Sequence, residues 1–134
     1  MTLIVCLDIR NGLRFNDRRQ SSDRCVTERV IRMSEGRRLY ILPESASLFS
    51  GMDCVVSEEI SQLADGDDIC FVETGDFSTY LDKTKTMVVY RWDKVYPADT
   101  KFPMDAFLER LSLRSTETFS GYSHDWITQE VYTR

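Results

Sequence analysis

Arginine is concentrated at the start of the chain. The first 38 residues carry nine arginines, no lysine and five acidic residues, whereas the remainder carries eight basic and seventeen acidic residues. A planar guanidinium group binds phosphate or carboxylate through paired hydrogen bonds. The pattern therefore predicts an anion-binding segment, with candidate ligand-binding residues Arg10, Arg14, Arg18, Arg19 and Arg24. The competing interpretation is a solvated helix face whose arginines pair with the acidic remainder of the chain.

A second group of reactive side chains lies near the end of the chain. The segment Ser123-His124-Asp125 contains the three residue types of a hydrolase triad. Neighbours on one turn cannot adopt the geometry of nucleophile, base and acid, so this segment is set aside. His124 is the only histidine, and the cysteines show no zinc-binding spacing. No metal site is expected.

Composition limits the class of protein. With 134 residues, of which 42% are hydrophobic, the chain can bury one core, and we expect a single domain over residues 1–134. It contains no apolar run long enough for a membrane span and no signal peptide, so we expect a cytoplasmic protein. The four cysteines are widely spaced and mostly lie in apolar runs, as buried thiols in a reducing compartment do. A pI near 4.9 argues against general nucleic-acid binding.

The apolar pattern predicts an α/β fold. Five short apolar runs predict the central, mostly parallel strands Leu3–Leu7, Leu39–Leu42, Cys54–Val56, Ile69–Val72 and Met87–Tyr90. A helix is predicted over Asp23–Met33 with Ser21-Ser22 as its N-cap, after a polar loop from Asp8 to Gln20. Alternating residues in segments 113–117 and 126–132 predict an antiparallel hairpin at one edge of the sheet. The resulting fold class is a three-layer αβα domain with a mixed sheet.

The stretch from Ile69 to Pro103 resembles the second half of dihydrofolate reductase. It gives a strand, the turn Glu73-Thr-Gly-Asp, a short helix, a second strand and the bend Ala98-Asp-Thr-Lys-Phe-Pro. The first strand, Asn11-Gly12, Phe15-Asn16 and Asp23 are similar to earlier features of that family in the same order. The resemblance covers nearly the whole chain, although this chain is shorter than typical members.

The resemblance assigns roles to particular residues. It places Asp23 where the family holds the carboxyl group that protonates the substrate, so Asp23 is the candidate catalytic residue. The competing interpretation is an ordinary acidic residue in the first turn of a helix. Tyr90 replaces the family's strand threonine near that acid and is a candidate ligand-binding residue. The pterin pocket is therefore expected to be rebuilt.

The same resemblance indicates that NADPH does not bind. Glu73-Thr74 replaces the glycine pair that approaches the cofactor phosphates, and Leu42-Pro43-Glu44-Ser45 replaces a phosphate-binding turn. After the third strand, Ser57 matches a phosphate ligand, but Glu58-Glu59 follow it directly. Neutral or acidic residues at three of these positions disfavour a phosphorylated cofactor. No cofactor is expected.

These observations predict a divergent dihydrofolate reductase-like protein that has lost NADPH-dependent reductase activity. Its expected partner is a small anionic, nucleotide-like molecule or an acidic protein surface. One alternative is an oxidoreductase of this type with an altered cofactor or substrate. Another is an RNA-binding or RNA-processing protein, supported only by the arginines. Aromatic and basic residues also alternate over Tyr90–Tyr96, as in platforms for single-stranded nucleic acid. That alternation is also typical of a strand with one buried face.

Overall fold

Strands dominate the structure, a computed structural model that describes residues 1–134. The ten strands are β1 (Thr2–Leu7), β2 (Gly12–Phe15), β3 (Arg18–Arg19), β4 (Leu39–Ile41), β5 (Val55–Val56), β6 (Ile69–Phe71), β7 (Thr86–Arg91), β8 (Thr100–Lys101), β9 (Ser112–Phe119) and β10 (Ile127–Thr133). The helices are α1 (Arg24–Met33), α2 (Ile60–Leu63) and α3 (Met104–Leu108), and two 3₁₀ helices span Pro43–Phe49 and Phe77–Tyr80. None of the helices has the length and apolar content needed to cross a bilayer.

Seven strands form one mixed sheet in the order β5-β4-β6-β1-β7-β10-β9. The five strands β5, β4, β6, β1 and β7 run parallel to one another. Strand β10 runs antiparallel to both β7 and β9. The predicted mixed sheet with a C-terminal antiparallel hairpin is thereby confirmed. The run at Cys54–Val56 is not central, because β5 pairs only through Val55 and Val56 and lies at the edge with both side chains exposed.

Side chains on the two faces of the sheet form two cores. Alternation along β1 sends Leu3, Val5 and Leu7 into one core and Ile4 into the other. The first core also contains apolar residues of α2 and α3, and the second is covered by α1 and the 3₁₀ helix Pro43–Phe49. A strand covered on both faces is apolar at nearly every position, which is the pattern of β1. The three-layer αβα arrangement is confirmed.

Two predicted boundaries are corrected. The N-cap of α1 is Asp23 rather than Ser21-Ser22, since the Asp23 carboxylate accepts the backbone N–H of Cys25 at 2.8 Å. The segment expected to be a polar loop, Asp8 to Gln20, contains β2 and β3, which join β8 in a small sheet of order β3-β2-β8. Leu13 of β2 is buried in the first core, and this anchors the small sheet.

The cysteines are all free thiols. Cys70 is buried, as predicted, and burial raises the pKa of its thiol to about 12. Cys6, Cys25 and Cys54 are only partly buried as whole residues. Burial also raises the pKa of the Cys6 thiol well above its ordinary value, so this thiol is not a reactive nucleophile.

Candidate functional site

The candidate site lies where the parallel strands end. The residues that follow β1, β4 and β6, together with the N-terminus of α1, meet at the carboxyl edge of the sheet. Ligands of open α/β sheets bind in the crevice outside this edge. Several of the predicted site residues lie on the loops of this edge. So do Glu44 and Glu73, which stand where the resemblance expects phosphate contacts.

Asp23 joins the start of α1 to the loop between β9 and β10. Its side chain is fully buried. It accepts hydrogen bonds from the backbone N–H groups of Cys25, Tyr122 and Ser123 at 2.8, 2.9 and 2.9 Å, and from the Ser123 hydroxyl at 3.2 Å. His124 Nδ1 lies 2.8 Å from the same carboxylate.

These contacts keep the Asp23 carboxyl group ionised. Burial opposes ionisation, but the hydrogen bonds from Tyr122, His124, Ser123 and Cys25 outweigh it and hold the pKa of Asp23 well below its ordinary value. A residue that protonates a substrate must first hold a proton. The geometry therefore favours a carboxylate that clamps the hairpin loop to the helix, and proton donation by Asp23 stays a prediction.

Three of the five candidate arginines line one hollow. It measures about 340 Å³ and is formed by Arg14, Asp17, Arg18, Arg19 and Glu44. Arg14 pairs with the Glu44 carboxylate at 2.9 Å and donates to the backbone carbonyl of Asp17. Arg18 is exposed and makes no ion pair or side-chain hydrogen bond. Arg18 is thus the one candidate arginine of this hollow without an intramolecular partner.

Arg19 is held by Glu73 at the end of β6. The guanidinium group binds both carboxylate oxygens, at 2.7 and 2.8 Å, and also donates to the backbone carbonyl of Glu44 at 3.0 Å. Ser45 Oγ donates to the Glu73 carboxylate at 2.6 Å. The Glu73 side chain is only 7% exposed, so its contacts with Arg19 and Ser45 belong to the buried interior of the fold.

The other candidate residues lie elsewhere. Arg24 is exposed and covers the ring of Tyr122, with its guanidinium carbon 4.2 Å from the ring centroid. Arg10 is exposed, and only its backbone N–H contacts the Asp8 carboxylate, at 2.8 Å. Tyr90 is fully buried in the second core, edge-on to Phe119. The structure thus leaves these three residues outside the arginine hollow.

Intramolecular pairing accounts for much of the charge asymmetry. Besides Arg14 and Arg19, Arg29 pairs with Glu117 at 2.7 Å and Arg38 with Asp68 at 3.1 Å. Four of the nine arginines in the first 38 residues are therefore neutralised by acids, and each of those acids lies in the acidic remainder of the chain. This is the arrangement that the competing interpretation of the sequence predicts.

The crevice between β1, α1 and β6 is nearly filled. Its remaining cavity measures about 10 Å³ and is bordered by Ser21, Asp23, Glu73 and Trp92, among others. A cavity of this size holds at most one water molecule. A pterin ring therefore does not fit between these elements as they stand.

A second hollow lies beside the end of β4. It measures about 420 Å³, and its lining includes Glu44, Glu58, Thr74, Gly75 and Asp76. Glu44 is neutralised by Arg14, whereas Glu58 and Asp76 have no cationic partner. Asp76 instead caps the 3₁₀ helix by accepting the backbone N–H of Ser78. The hollow is acidic.

Sequence reasoning missed the position of His124. Its side chain is 6% exposed and stacks on Trp92 with the ring centroids 4.8 Å apart, while Nε2 lies 2.8 Å from Ser21 Oγ. Both hydrogen-bond partners of the ring nitrogens, Ser21 and Asp23, are about a hundred residues away in sequence. No local motif could identify this contact. The one available signal was that the chain has a single histidine.

The fold is that of dihydrofolate reductase. The dihydrofolate reductase from Enterococcus faecalis complexed with NADP(H) and RAB-propyl matches this chain with a TM-score of 0.65, covering 99% of this chain and 95% of that chain at 10% sequence identity. No protein-family model and no curated protein sequence matches the chain. The resemblance seen in the sequence is therefore confirmed as a dihydrofolate reductase-like fold, and an identity of 10% extends it no further than the fold.

No group of three or more His, Cys, Asp or Glu side chains is arranged to hold a metal ion. The residues present also do not fit the NADPH that this fold can carry. Glu73 and Arg19 occupy the end of β6, and the adjoining hollow is lined by Glu58 and Asp76. Phosphate groups bind where backbone N–H groups and unpaired cations converge, whereas Arg19 is paired with Glu73 and the adjoining hollow contributes unpaired acids.

Proposed function

We propose that this dihydrofolate reductase-like protein does not act as an NADPH-dependent reductase and instead binds a small anionic, nucleotide-like ligand. The observation that carries the proposal is the buried Glu73–Arg19 pair, which stands where the resemblance places the glycine pair of the cofactor site. Arg19 is bound to Glu73 within the chain, whereas the neighbouring Arg18 lines an open hollow and is unpaired.

Two features disfavour the cofactor. The space beside Glu73 measures about 10 Å³, which is too small for a nicotinamide or pterin ring. The acidic hollow beyond it places two unpaired carboxylates, Glu58 and Asp76, near any phosphate bound there. Like charges about 4 Å apart near a protein surface repel each other by up to ~4 kcal/mol. That repulsion is a large part of a micromolar binding free energy.

The arginine hollow favours an anion of modest size. Arg14, Arg18 and Arg19 bring three guanidinium groups to its lining, and Arg18 is the one that is not paired with an acid. Since Arg14 and Arg19 are held by their ion pairs, they are positioned before a ligand arrives. An exposed acidic side chain of a partner protein is the other occupant with this chemistry.

The alternative functions have less support. An aromatic platform for RNA needs exposed rings, but Tyr90 is fully buried and Trp92 is 2% exposed. Arg91 between them pairs with Glu130 at 2.8 Å. An oxidoreductase with a different cofactor would need a cavity for it beside β1, where the space is nearly filled.

Replacing Arg18 by alanine is expected to weaken anion binding at least tenfold, since the loss of a charge-assisted hydrogen bond costs about 1.5–3 kcal/mol. Stability should change by less than ~0.5 kcal/mol, because the side chain is exposed and unpaired. Calorimetric titration with inorganic pyrophosphate at low ionic strength measures the first effect, and urea denaturation measures the second.

Arg37→Ala is the matched control, since Arg37 is also exposed and lies in the same arginine-rich segment outside the hollow. Binding should be unchanged in this variant. Equal losses in the two variants would indicate diffuse charge attraction rather than a site. No measurable pyrophosphate binding to the unmodified protein would refute the anion site itself.

A further inference from the structure

Ser21, His124 and Asp23 form a continuous hydrogen-bonded chain. Ser21 Oγ lies 2.8 Å from His124 Nε2, and His124 Nδ1 lies 2.8 Å from the Asp23 carboxylate. Ser21 comes from the segment before α1, and His124 from the loop between β9 and β10. The order of groups is that of nucleophile, base and orienting acid in serine hydrolases.

The donors and acceptors in this chain have only one consistent assignment when the imidazole is neutral. An ionised carboxylate can only accept hydrogen bonds, so His124 Nδ1 must carry the proton that it donates to Asp23. Nε2 then has a free lone pair and accepts the hydroxyl proton of Ser21. The imidazole is therefore in the tautomer that can take a proton from Ser21.

The histidine ring is rigidly placed. Trp92 stacks on one of its faces at an interplanar angle of 23°, and the Asp23 side chain that holds Nδ1 is itself fully buried. Backbone N–H groups of Tyr122 and Ser123 fix both oxygens of that carboxylate. Catalytic groups act best when their supporting contacts are made before the substrate binds.

Donors for a developing negative charge lie beside the serine. The backbone N–H groups of Ser21 and Asp23 donate to no protein acceptor. Both precede the ten-residue helix α1, whose N-terminus is capped by the Asp23 carboxylate. An oxyanion formed at a carbonyl attacked by Ser21 would be stabilised by such groups.

We propose that Ser21 is the nucleophile and His124 the general base of an acyl-transfer site for small-acyl carboxylic esters, with Asp23 as a positioning residue. The crevice that Ser21 borders is nearly filled, and its remaining cavity of about 10 Å³ holds no acyl group. The ester must therefore react at the partly exposed side of Ser21, where only a small acyl group is accommodated. Acetyl esters are therefore the substrate class.

The reaction uses only the ester and water. Ser21 Oγ forms a bond to the carbonyl carbon while its proton passes to His124 Nε2, and the carbonyl π electrons move onto oxygen. Collapse of this intermediate expels the alcohol oxygen, which takes the proton from Nε2, and leaves acetyl-Ser21. Water then repeats the sequence with His124 as base and releases acetate.

The test is labelling of the folded protein by a fluorophosphonate and turnover of p-nitrophenyl acetate. We expect one phosphonyl group per chain, located at Ser21 by peptide mass spectrometry. Ester turnover by Ser21→Ala should be lower by about 100-fold or more, since loss of the nucleophile removes the covalent pathway. Ser47→Ala, which replaces an exposed serine away from the triad, should react like the unmodified protein. The hexanoate ester should react far more slowly than the acetate.

The single histidine allows a second, independent measurement. Nitrogen NMR of the imidazole should show the proton on Nδ1 in the unmodified protein. In Asp23→Asn, an N–H of the asparagine amide that faces His124 Nδ1 makes Nδ1 an acceptor, so the imidazole proton should move to Nε2. Labelling should then slow by up to about 10⁴-fold. Labelling that persists in Ser21→Ala, no labelling of the unmodified protein, or a proton on Nε2 in the unmodified protein would each overturn the proposal.

Discussion

Replacement of Asp23 by alanine is expected to lower the free energy of unfolding by about 3–5 kcal/mol, because a helix cap and several buried hydrogen bonds to a charged acceptor are lost. The carboxylate is fully buried and satisfies backbone N–H groups of both α1 and the β9–β10 loop. Alanine removes the helix cap and leaves those donors and His124 without their acceptor. Urea denaturation followed by tryptophan fluorescence measures the loss.

The matched control for this prediction is Asp125→Ala, which removes an exposed acid from the same loop. We expect a change of less than ~0.5 kcal/mol for an exposed residue. If the Asp23 and Asp125 variants have the same stability, Asp23 does not clamp the loop to the helix.

The same clamp makes stability depend on acid pH. Because the folded-state pKa of Asp23 lies below the unfolded value of about 3.9, its contribution is fully present above pH ~4–5 and is lost as pH falls through the folded pKa. The unmodified protein should therefore lose more stability than Asp23→Ala between pH 5 and 2. If the denaturation midpoint falls by the same amount in both proteins across this range, Asp23 does not have a lowered pKa in the folded state.

Replacement of Glu73 by alanine is expected to cost about 2–4 kcal/mol, near the lower end of values for broken buried ion pairs. The lower end applies because the Arg19 side chain keeps 28% exposure and can be partly rehydrated, whereas Ser45 is completely buried and loses its acceptor. Urea denaturation again gives the free energy of unfolding.

A double-mutant cycle isolates the pair itself. Glu73→Ala and Arg19→Ala should together cost less than the sum of the single changes, with a coupling energy of at least ~1 kcal/mol. Glu58→Ala serves as control, since Glu58 is exposed and unpaired at a neighbouring hollow. Additive effects of the Glu73 and Arg19 changes would show that the two side chains do not stabilise each other.

The strands of the large sheet were predictable because burial leaves a strong local pattern. Strand β1 is covered on both faces and is apolar at nearly every position. The predicted antiparallel hairpin forms, although β9 is exposed at nearly every position and burial along β10 does not alternate. The small sheet was not predictable. Strand β8 has two residues, and it pairs Lys101 with Gly12 across most of the chain. Short pairings between distant segments leave no periodic signal.

The candidate site was predictable only in part. The sequence identified the arginine-rich segment, and three of its residues line one hollow. It could not identify the acidic partners, because Glu44 and Glu73 are brought to Arg14 and Arg19 by the order of strands in the sheet. It likewise placed Asp23 at the start of a helix but could not predict the contact with His124. Tertiary contacts of single polar residues follow from topology rather than from local sequence.

NADPH is not expected to bind at the carboxyl edge of this dihydrofolate reductase-like fold. Calorimetric titration of the unmodified protein with NADPH at low ionic strength tests this expectation most directly, with the Enterococcus faecalis dihydrofolate reductase titrated in parallel as the positive control. We expect no binding tighter than about 10 μM, which corresponds to roughly −7 kcal/mol. A saturable site with a dissociation constant below that value would contradict the account and restore the reductase assignment.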